Sequence, residues 1–473
     1  MHQLSPTDAS FFQLETSRQP MVIGALWICD QSTAPNQLVR HKQILEYVED
    51  RLSHTSLFRR RLQTVPMSLD DPYWIDDANF NLEYHIRHVG LPQPGDRRQL
   101  QIFTARIMSR SLDMERAPWE LYIIEGLNNC EGFPKNSFAV LLRMHHAYVD
   151  GKSALELMSA MMEDTPDHAY GAREPRQIAE PTLSTTEAWA RTIPRLASQA
   201  YRSTRAGVKV ARKGYELYQN LQQQQPDQQR APDTIFNRNI SPHRAYGTVD
   251  WDSNELKAIR SLVPGATVND AIIAIIGGGL RRYLAQRGEL PDPDSLIALC
   301  PVSIRTDSKK MALGNMVSGM LISIGSNHES AIERLQQIQK RTARAVPLAR
   351  DILGDLVQAS GEMVPPALRA LAGWAQGKMH LASRFPIINT VITNVPGTTD
   401  AAPRYFVGAQ VLRVYPLVPI GDGVSLTHGI TGIGTRIALG VTADRAILPD
   451  MDHYLDCLER STEEYLSLTR RRA

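Results

Sequence analysis

Apolar positions along this chain follow two periods that alternate from one end to the other. Short apolar or alternating runs have the length and pattern of β-strands. They are Met21–Cys29, Phe58–Thr64, Pro118–Gly126, Phe138–Met144, Ala245–Trp251, Leu296–Ser303, Met320–Ile324, Ile387–Val395, Val411–Pro419, Ser425–Ile433 and Arg436–Ala443. Between them, spacings of three and four predict helices over Ser5–Glu15, Leu38–Leu52, Arg98–Ser111, Ser153–Met162, Ala188–Tyr215, Ser253–Leu262, Ala271–Leu284 and His328–Ala345, and a last one from Pro449. Two helix starts are marked chemically. Ser5-Pro6-Thr7-Asp8 offers a cap, a proline for the first helical position and something close to a capping box, and Thr267-Val268-Asn269-Asp270 repeats the box. Capping alone is a sufficient reason for Asp270; Asn269 is either structural or a donor near a reaction centre. The pattern is that of a mixed α/β chain in two halves.

A chain of 473 residues exceeds a usual single core, so two domains are expected. The low-complexity stretch Gln222–Arg230 (QQQQPDQQR) reads as a linker. The four cysteines, Cys29, Cys130, Cys300 and Cys457, lie far apart and form no CxxC pair, which points to a reduced compartment and gives no metal or disulfide framework. No signal peptide and no run of about 18 apolar residues is evident, so the expected location is cytoplasmic, with the protein soluble or peripheral on a membrane. The small net charge of +2 hides a basic segment. Arg191, Arg195, Arg202, Arg205, Lys209, Arg212 and Lys213 fall within Ala188–Tyr215 with no acidic residue among them. Such a helix could meet anionic lipid headgroups or CoA phosphates, or simply pack over the connection between domains. Nucleic acid is not favoured, since no basic-aromatic pattern recurs elsewhere.

The chemistry concentrates in Ser137–Met162, SFAVLLRMHHAYVDGKSALELMSAMM. An apolar strand ends on His145 and His146; Asp150-Gly151 then turns into a helix, Gly151 allowing a positive φ. Histidine titrates near neutrality and can accept and return a proton within one turnover. No serine or cysteine stands beside the pair as a nucleophile, so His146 is the candidate base for a hydroxyl or thiol brought by a substrate. Asp150 could orient the imidazole or form an ion pair that shapes the loop. Gly151-Lys152-Ser153 is not a P-loop, because the first glycine of GxxxxGK would fall on His146. His85 and His88 have a metal-like spacing without an evident third ligand, and an exposed strand with polar alternation is the better reading there.

HHAYVDG, His145 to Gly151, resembles the HHxxxDG motif of the CoA-dependent acyltransferase superfamily, and other segments narrow the likeness to bacterial wax ester synthase/diacylglycerol acyltransferases. Gln19-Pro20-Met21 is similar to the family's QPMHVG, with Val22 where the histidine would be. Trp119 and Ile123-Ile124-Glu125-Gly126 match its Pro-Leu-Trp…Ile-Glu-Gly segment, with Ala117 and Pro118 in the first two places. Asn269-Asp270 matches its ND motif, and Asn394-Val395-Pro396-Gly397 its NVPG; Thr427, His428 and Ile433 depart from its Asn and Tyr pattern. The resemblance implies two chloramphenicol-acetyltransferase-like α/β domains with a channel between them: residues 1–180 carrying HHxxxDG, a basic helix and Gln-rich linker at 181–234, and residues 235–473. It implies O-acyl transfer from acyl-CoA to a long-chain alcohol or diacylglycerol, giving wax ester or triacylglycerol. His146 would be the base, His145 and Gly151 motif support, and Asp150 a scaffold residue paired with Arg305. Thr393 and Asn394 would reach the cleft, and neither a metal nor a prosthetic group is needed. The apolar helical region Val346–Met379 could line a lipid tunnel or be ordinary core. Rival readings are a related acyltransferase using a carrier-protein thioester or a different hydroxyl acceptor, and a non-catalytic protein of lipid surfaces.

Overall fold

The computed structural model describes residues 2–53, 57–148, 161–167, 187, 190, 192–195, 201, 203–209, 211–212, 231–303, 317–348, 363–384, 386–395, 397 and 402–472. In the first half these form β1 (His2–Gln3), α1 (Pro6–Leu14), β2 (Val22–Asp30), α2 (His41–Ser53), β3 (Arg60–Gln63), β4 (Tyr73–Asp76), α3 (Leu82–His85), β5 (Ile86–Gly90), α4 (Arg97–Met108), β6 (Trp119–Glu125) and β7 (Phe138–His145). In the second half they form β8 (Arg244–Asp252), α5 (Ser253–Arg260), α6 (Val268–Gln286), β9 (Ile297–Ser303), β10 (Val317–Ser323), α7 (Ala331–Leu348), α8 (Pro366–Met379) and α9 (Leu381–Arg384). β11 (Thr390–Asn394), β12 (Tyr405–Phe406), β13 (Ala409–Leu417), β14 (Leu426–Ile433), β15 (Arg436–Asp444) and α10 (Met451–Arg472) complete it.

Two six-stranded sheets carry the architecture, with a small third sheet of β1, β4 and β3. One has the order β12-β13-β2-β7-β6-β5, the other β10-β9-β11-β14-β15-β8. Strand β7 is central and buried at all eight positions, paired antiparallel with β2 and β6. This explains why its sequence is a continuous apolar run and not an alternating one. The helix starts follow the sequence. Ser5 Oγ accepts from the Asp8 N–H at 3.1 Å. Thr267 and Asp270 make the full reciprocal box at the head of α6.

Chain order does not foresee one feature. Strands β12 and β13, from the second half, belong to the first sheet, where β13 runs antiparallel to β2 from Gln410 opposite Asp30 to Leu417 opposite Gly24. The chain leaves the second sheet after β11, adds these strands to the first, and returns as β14. A second difference concerns Phe80–His88, expected as an exposed strand, of which only Ile86–His88 fall in one, the first three residues of β5. Asn81 caps α3 instead, and His85 is buried, stacked between Phe80 and Trp119 with Nδ1 2.8 Å from the Trp119 carbonyl oxygen. Desolvation holds the His85 imidazole below its ordinary pKa despite that carbonyl. His88 pairs with Glu125 at 2.9 Å, so the two histidines serve separate partners.

Candidate active site at the end of the central strand

The register of the first sheet sets the site. Val22 lies opposite His145, the last residue of β7, and the next backbone N–H, that of His146, donates to the Met21 carbonyl at 2.7 Å. The His145 N–H donates to the Pro118 carbonyl at 3.0 Å, and the Tyr148 N–H closes a turn onto the His145 carbonyl at 2.9 Å. The pair is therefore pinned from both neighbouring strands at the point where β7 stops.

The two rings have different duties. His145 is fully buried; its Nδ1 lies 3.1 Å from the Ala147 N–H and its Nε2 3.2 Å from Glu15 Oε2. A backbone N–H can only donate, so Nδ1 must be an acceptor, and the ring proton sits on Nε2, where it donates to the carboxylate. With both nitrogens committed, His145 is a positioning residue. His146 is half-buried, and its ring stacks on Phe11 of α1 at 4.0 Å between centroids and 10° between planes. The flat stack fixes the imidazole plane.

The residues just N-terminal to β2 join this end of β7 to the second half. Met21 holds His146 and Glu15 holds His145, while Arg18 donates to the Ile240 carbonyl at 3.3 Å. Gln19 Oε1 accepts from the Asp422 N–H at 3.1 Å, and Asp422 accepts from the Ile240 N–H at 2.9 Å and meets His380 at 2.9 Å. The histidine pair thus sits where the two halves of the chain meet.

A second support was invisible in the apolar pattern of the motif strand. Arg143, two residues before His145, is buried opposite Glu120 of β6. Its Nε and Nη2 approach Glu120 Oε2 at 2.9 and 2.8 Å, and Nη1 donates to the carbonyls of Ile107 and Arg110 at 2.7 and 2.8 Å. Tyr122 donates to the same carboxylate at 2.9 Å and Arg87 to its other oxygen at 3.2 Å. Burial pushes the Glu120 carboxyl up, but Arg143, Tyr122 and Arg87 together hold it below its ordinary value. The available signal was an arginine and a glutamate interrupting two otherwise apolar strands.

The remaining candidates divide. Asp150, Gly151 and Arg305, with the ion pair expected between Asp150 and Arg305, lie outside the described residues. Asp270 is buried; Oδ2 accepts from the Thr267 N–H at 2.7 Å and hydroxyl at 2.8 Å, and Oδ1 from the Thr342 hydroxyl at 2.7 Å. It is a helix cap tied to α7. Asn269 and Asn394 are brought together, Nδ2 of Asn394 lying 3.4 Å from Oδ1 of Asn269. Asn394 is exposed at the end of β11, with Thr393 half-buried beside it. Trp119 is a buried wall residue whose indole N–H donates to the Phe58 carbonyl at 2.8 Å. No three His, Cys, Asp or Glu side chains are grouped to hold a metal among the described residues, nor is any described helix long and apolar enough to cross a membrane.

Comparison with known proteins agrees with this architecture. Residues 4–272 match the wax ester synthase/diacylglycerol acyltransferase catalytic domain, and residues 313–465 match the WS/DGAT C-terminal domain. A protein of Mycobacterium tuberculosis named a probable diacylglycerol O-acyltransferase is 28% identical over 477 aligned positions, covering 98% of both chains. A second mycobacterial protein with the diacylglycerol O-acyltransferase name is 30% identical over 479, again with 98% of both covered. Among solved structures, the wax ester synthase/diacylglycerol acyltransferase from Marinobacter aquaeolei has a TM-score of 0.69 at 26% identity, with 99% of this chain and 100% of that one covered. The starter condensation domain of rhizomide synthetase, solved with C8-CoA, shares the fold at 10% identity and a TM-score of 0.58, covering 98% of this chain and 94% of that one.

Proposed function

Because the chain belongs to the wax ester synthase/diacylglycerol acyltransferase family, we propose that it moves a fatty acyl group from acyl-CoA to the hydroxyl of a long-chain alcohol or a diacylglycerol, with His146 as general base. The observation that carries the assignment of the base is the division of labour within the pair. Both nitrogens of His145 are committed to Ala147 and Glu15, whereas His146, half-buried beside it, is positioned through its backbone N–H on Met21 and its ring face on Phe11. Residues 1–180 and 235–473, connected by 181–234, are the two units between which the substrates meet.

His146 removes the acceptor's proton as its oxygen attacks the thioester carbonyl. The tetrahedral intermediate then collapses, the C–S bond breaks, and the imidazolium returns the proton to the departing CoA thiolate. A positioned base supplies ~10²–10⁴-fold, and orientation with stabilisation of the oxyanion supplies the rest. The thioester is already activated, so the step requires no metal or prosthetic group. The acceptor and the ester product are strongly apolar, which suits an enzyme working peripherally at a cytoplasmic membrane face or a lipid inclusion.

The test is release of CoA from palmitoyl-CoA in the presence of hexadecanol. His146→Ala is expected to abolish it while the melting curve stays that of the wild type; turnover close to wild type would remove His146 from the mechanism. Wild-type protein inert with free acyl-CoA and simple alcohols would favour a carrier-protein thioester donor or a different acceptor.

A further inference from the structure

Helix α8 is built inside out for a protein in water. Its inner face is made of glycines. A Cβ on Gly373 would sit 2.8 Å from the Gln13 carbonyl oxygen at the end of α1, and one on Gly377 3.3 Å from Thr16 Cγ2. Only residues without side chains allow the two segments this approach. Arg369 secures the same side by pairing with Asp71. The outer face carries the large apolar side chains: Leu368 is 54% exposed, Leu371 58%, Trp374 62% and Met379 53%. Leu368, Leu371 and Trp374 recur every three residues and so lie along one side of the helix. This is the reverse of the amphipathic pattern expected of a surface helix. Of the region Val346–Met379, expected to line a lipid tunnel or to be ordinary core, residues 349–362 lie outside the described residues, and these four exposed side chains fill no core.

The basic segment meets the chain just before α8. Gly207 lies against Met363, with a Cβ there 3.7 Å from the methionine sulfur, and the exposed Tyr201 and Val208 flank it. Arg205, Lys378 and Arg384 are exposed on the same segments. Residues 188–215 and 363–384 contain no aspartate or glutamate. An exposed apolar helix face on a segment that carries cations and no carboxylate is complementary to an anionic lipid surface, where the tryptophan and leucines enter the headgroup boundary and the cations meet phosphates.

We propose that the outer face of α8 is the surface by which this protein docks on an anionic phospholipid bilayer. The inner face of α8 packs on the segment of α1 that carries Phe11 to His146 and Glu15 to His145, so a bilayer seated on α8 lies one helix away from the catalytic pair. Docking therefore also places a membrane-dissolved acceptor next to the site, a consequence that rests on the acyltransferase reading above.

The experiment measures binding of the full chain to phosphatidylcholine vesicles with and without phosphatidylglycerol, for the wild type and for Leu371→Glu/Trp374→Glu. Wild-type protein is expected to sediment with the anionic vesicles and release in high salt. The variant, losing two apolar contacts, is expected to bind them at least about tenfold more weakly, with an unaltered melting curve because both side chains are already exposed. CoA release with hexadecanol dispersed in the vesicles should fall in parallel, while release with a short water-soluble alcohol should not change. Equal vesicle affinity for wild type and variant overturns the proposal. So does sedimentation of the wild type as a dimer that the variant abolishes, without vesicle binding, since a second copy would then be the occupant. Vesicle binding without CoA release from any alcohol would instead overturn the acyltransferase reading and leave the docking surface standing.

Discussion

Replacing Arg143 by methionine tests whether the histidine-bearing end of β7 is held by its buried ion pair. Methionine keeps much of the aliphatic volume and removes the guanidinium that meets Glu120 and the two carbonyls of Ile107 and Arg110. Both charged side chains are almost wholly buried, at 3% exposure for Arg143 and 10% for Glu120. Removing one partner of such a pair costs about 3–5 kcal/mol, because the remaining charge stays desolvated. Arg87 and Tyr122 still contact the carboxylate, which places the expected loss toward the lower end of that range. The pH dependence carries the sign. In the wild type the folded Glu120 pKa lies below the ordinary 4.5, so its contribution is present above that pH and lost as pH falls through the lower folded value. Without Arg143, burial dominates and the carboxyl titrates higher. The penalty of Arg143→Met is then greatest at neutral pH and shrinks in acid, where Glu120 is protonated. Denaturant unfolding of wild type, Arg143→Met, Glu120→Gln and the double variant, at neutral pH and in acid, measures both effects. A neutral-pH loss under about 1 kcal/mol, or a double-mutant cycle with no coupling, would refute the reasoning.

Glu15→Ala leaves the buried Nε2–H of His145 without its acceptor and is expected to cost about 1–3 kcal/mol, whereas Glu15→Gln retains an acceptor oxygen and should stay within about 1 kcal/mol; identical unfolding midpoints for wild type and Glu15→Ala would count against the fixed tautomer. His428 is buried between the Thr390 hydroxyl at 3.0 Å and the Tyr454 hydroxyl at 2.7 Å, and desolvation lowers its pKa to about 3. Its unfolded value is near 6.5, so the unfolded chain takes up the extra proton as pH falls from there toward 3, and stability drops by about 1.4 kcal/mol per pH unit from this group. In His428→Gln the slope of unfolding free energy against pH should lose that one-proton component between pH 6 and 4; an unchanged slope would show that His428 is not buried neutral.

Much of the site was legible because its signals are local. A strand ending on two histidines, a serine or threonine three residues before an acid, and apolar runs of strand length all depend on neighbouring residues, and the structure reproduces them at His145–His146, Ser5–Asp8 and Thr267–Asp270. What escaped depends on register between distant segments. Arg143 and Glu120 face each other only because β6 and β7 align Met144 with Trp119, and no residue within either strand specifies that alignment. His85 looked exposed because its alternation with Arg87 is strand-like, yet stacking between Phe80 and Trp119 outweighs that preference and buries it. The roles of the two histidines could not be separated in sequence at all, since the distinction lies in Glu15, 130 residues earlier.

The exchange of β12 and β13 into the first sheet bears on why the histidine pair can be rigid at a junction. A base at the end of an edge strand would move with every opening between the two units. Here β7 is interior, β2 is hydrogen-bonded to it on one side, and β13 from the second half is hydrogen-bonded to β2 on the other, with Leu417 opposite Gly24 two residues from Val22. The chain that leaves β13 then reaches Asp422, which is held within the second half by the Ile240 N–H and His380 and reaches across the junction to Arg18 and Gln19. A displacement of the second half would thus have to break the β13–β2 ladder and the Asp422 contacts together before it could shift Met21, and with it His146. Adding a strand across the junction converts a contact between two units into part of a sheet, and that continuity is what holds the histidine pair there with fixed geometry.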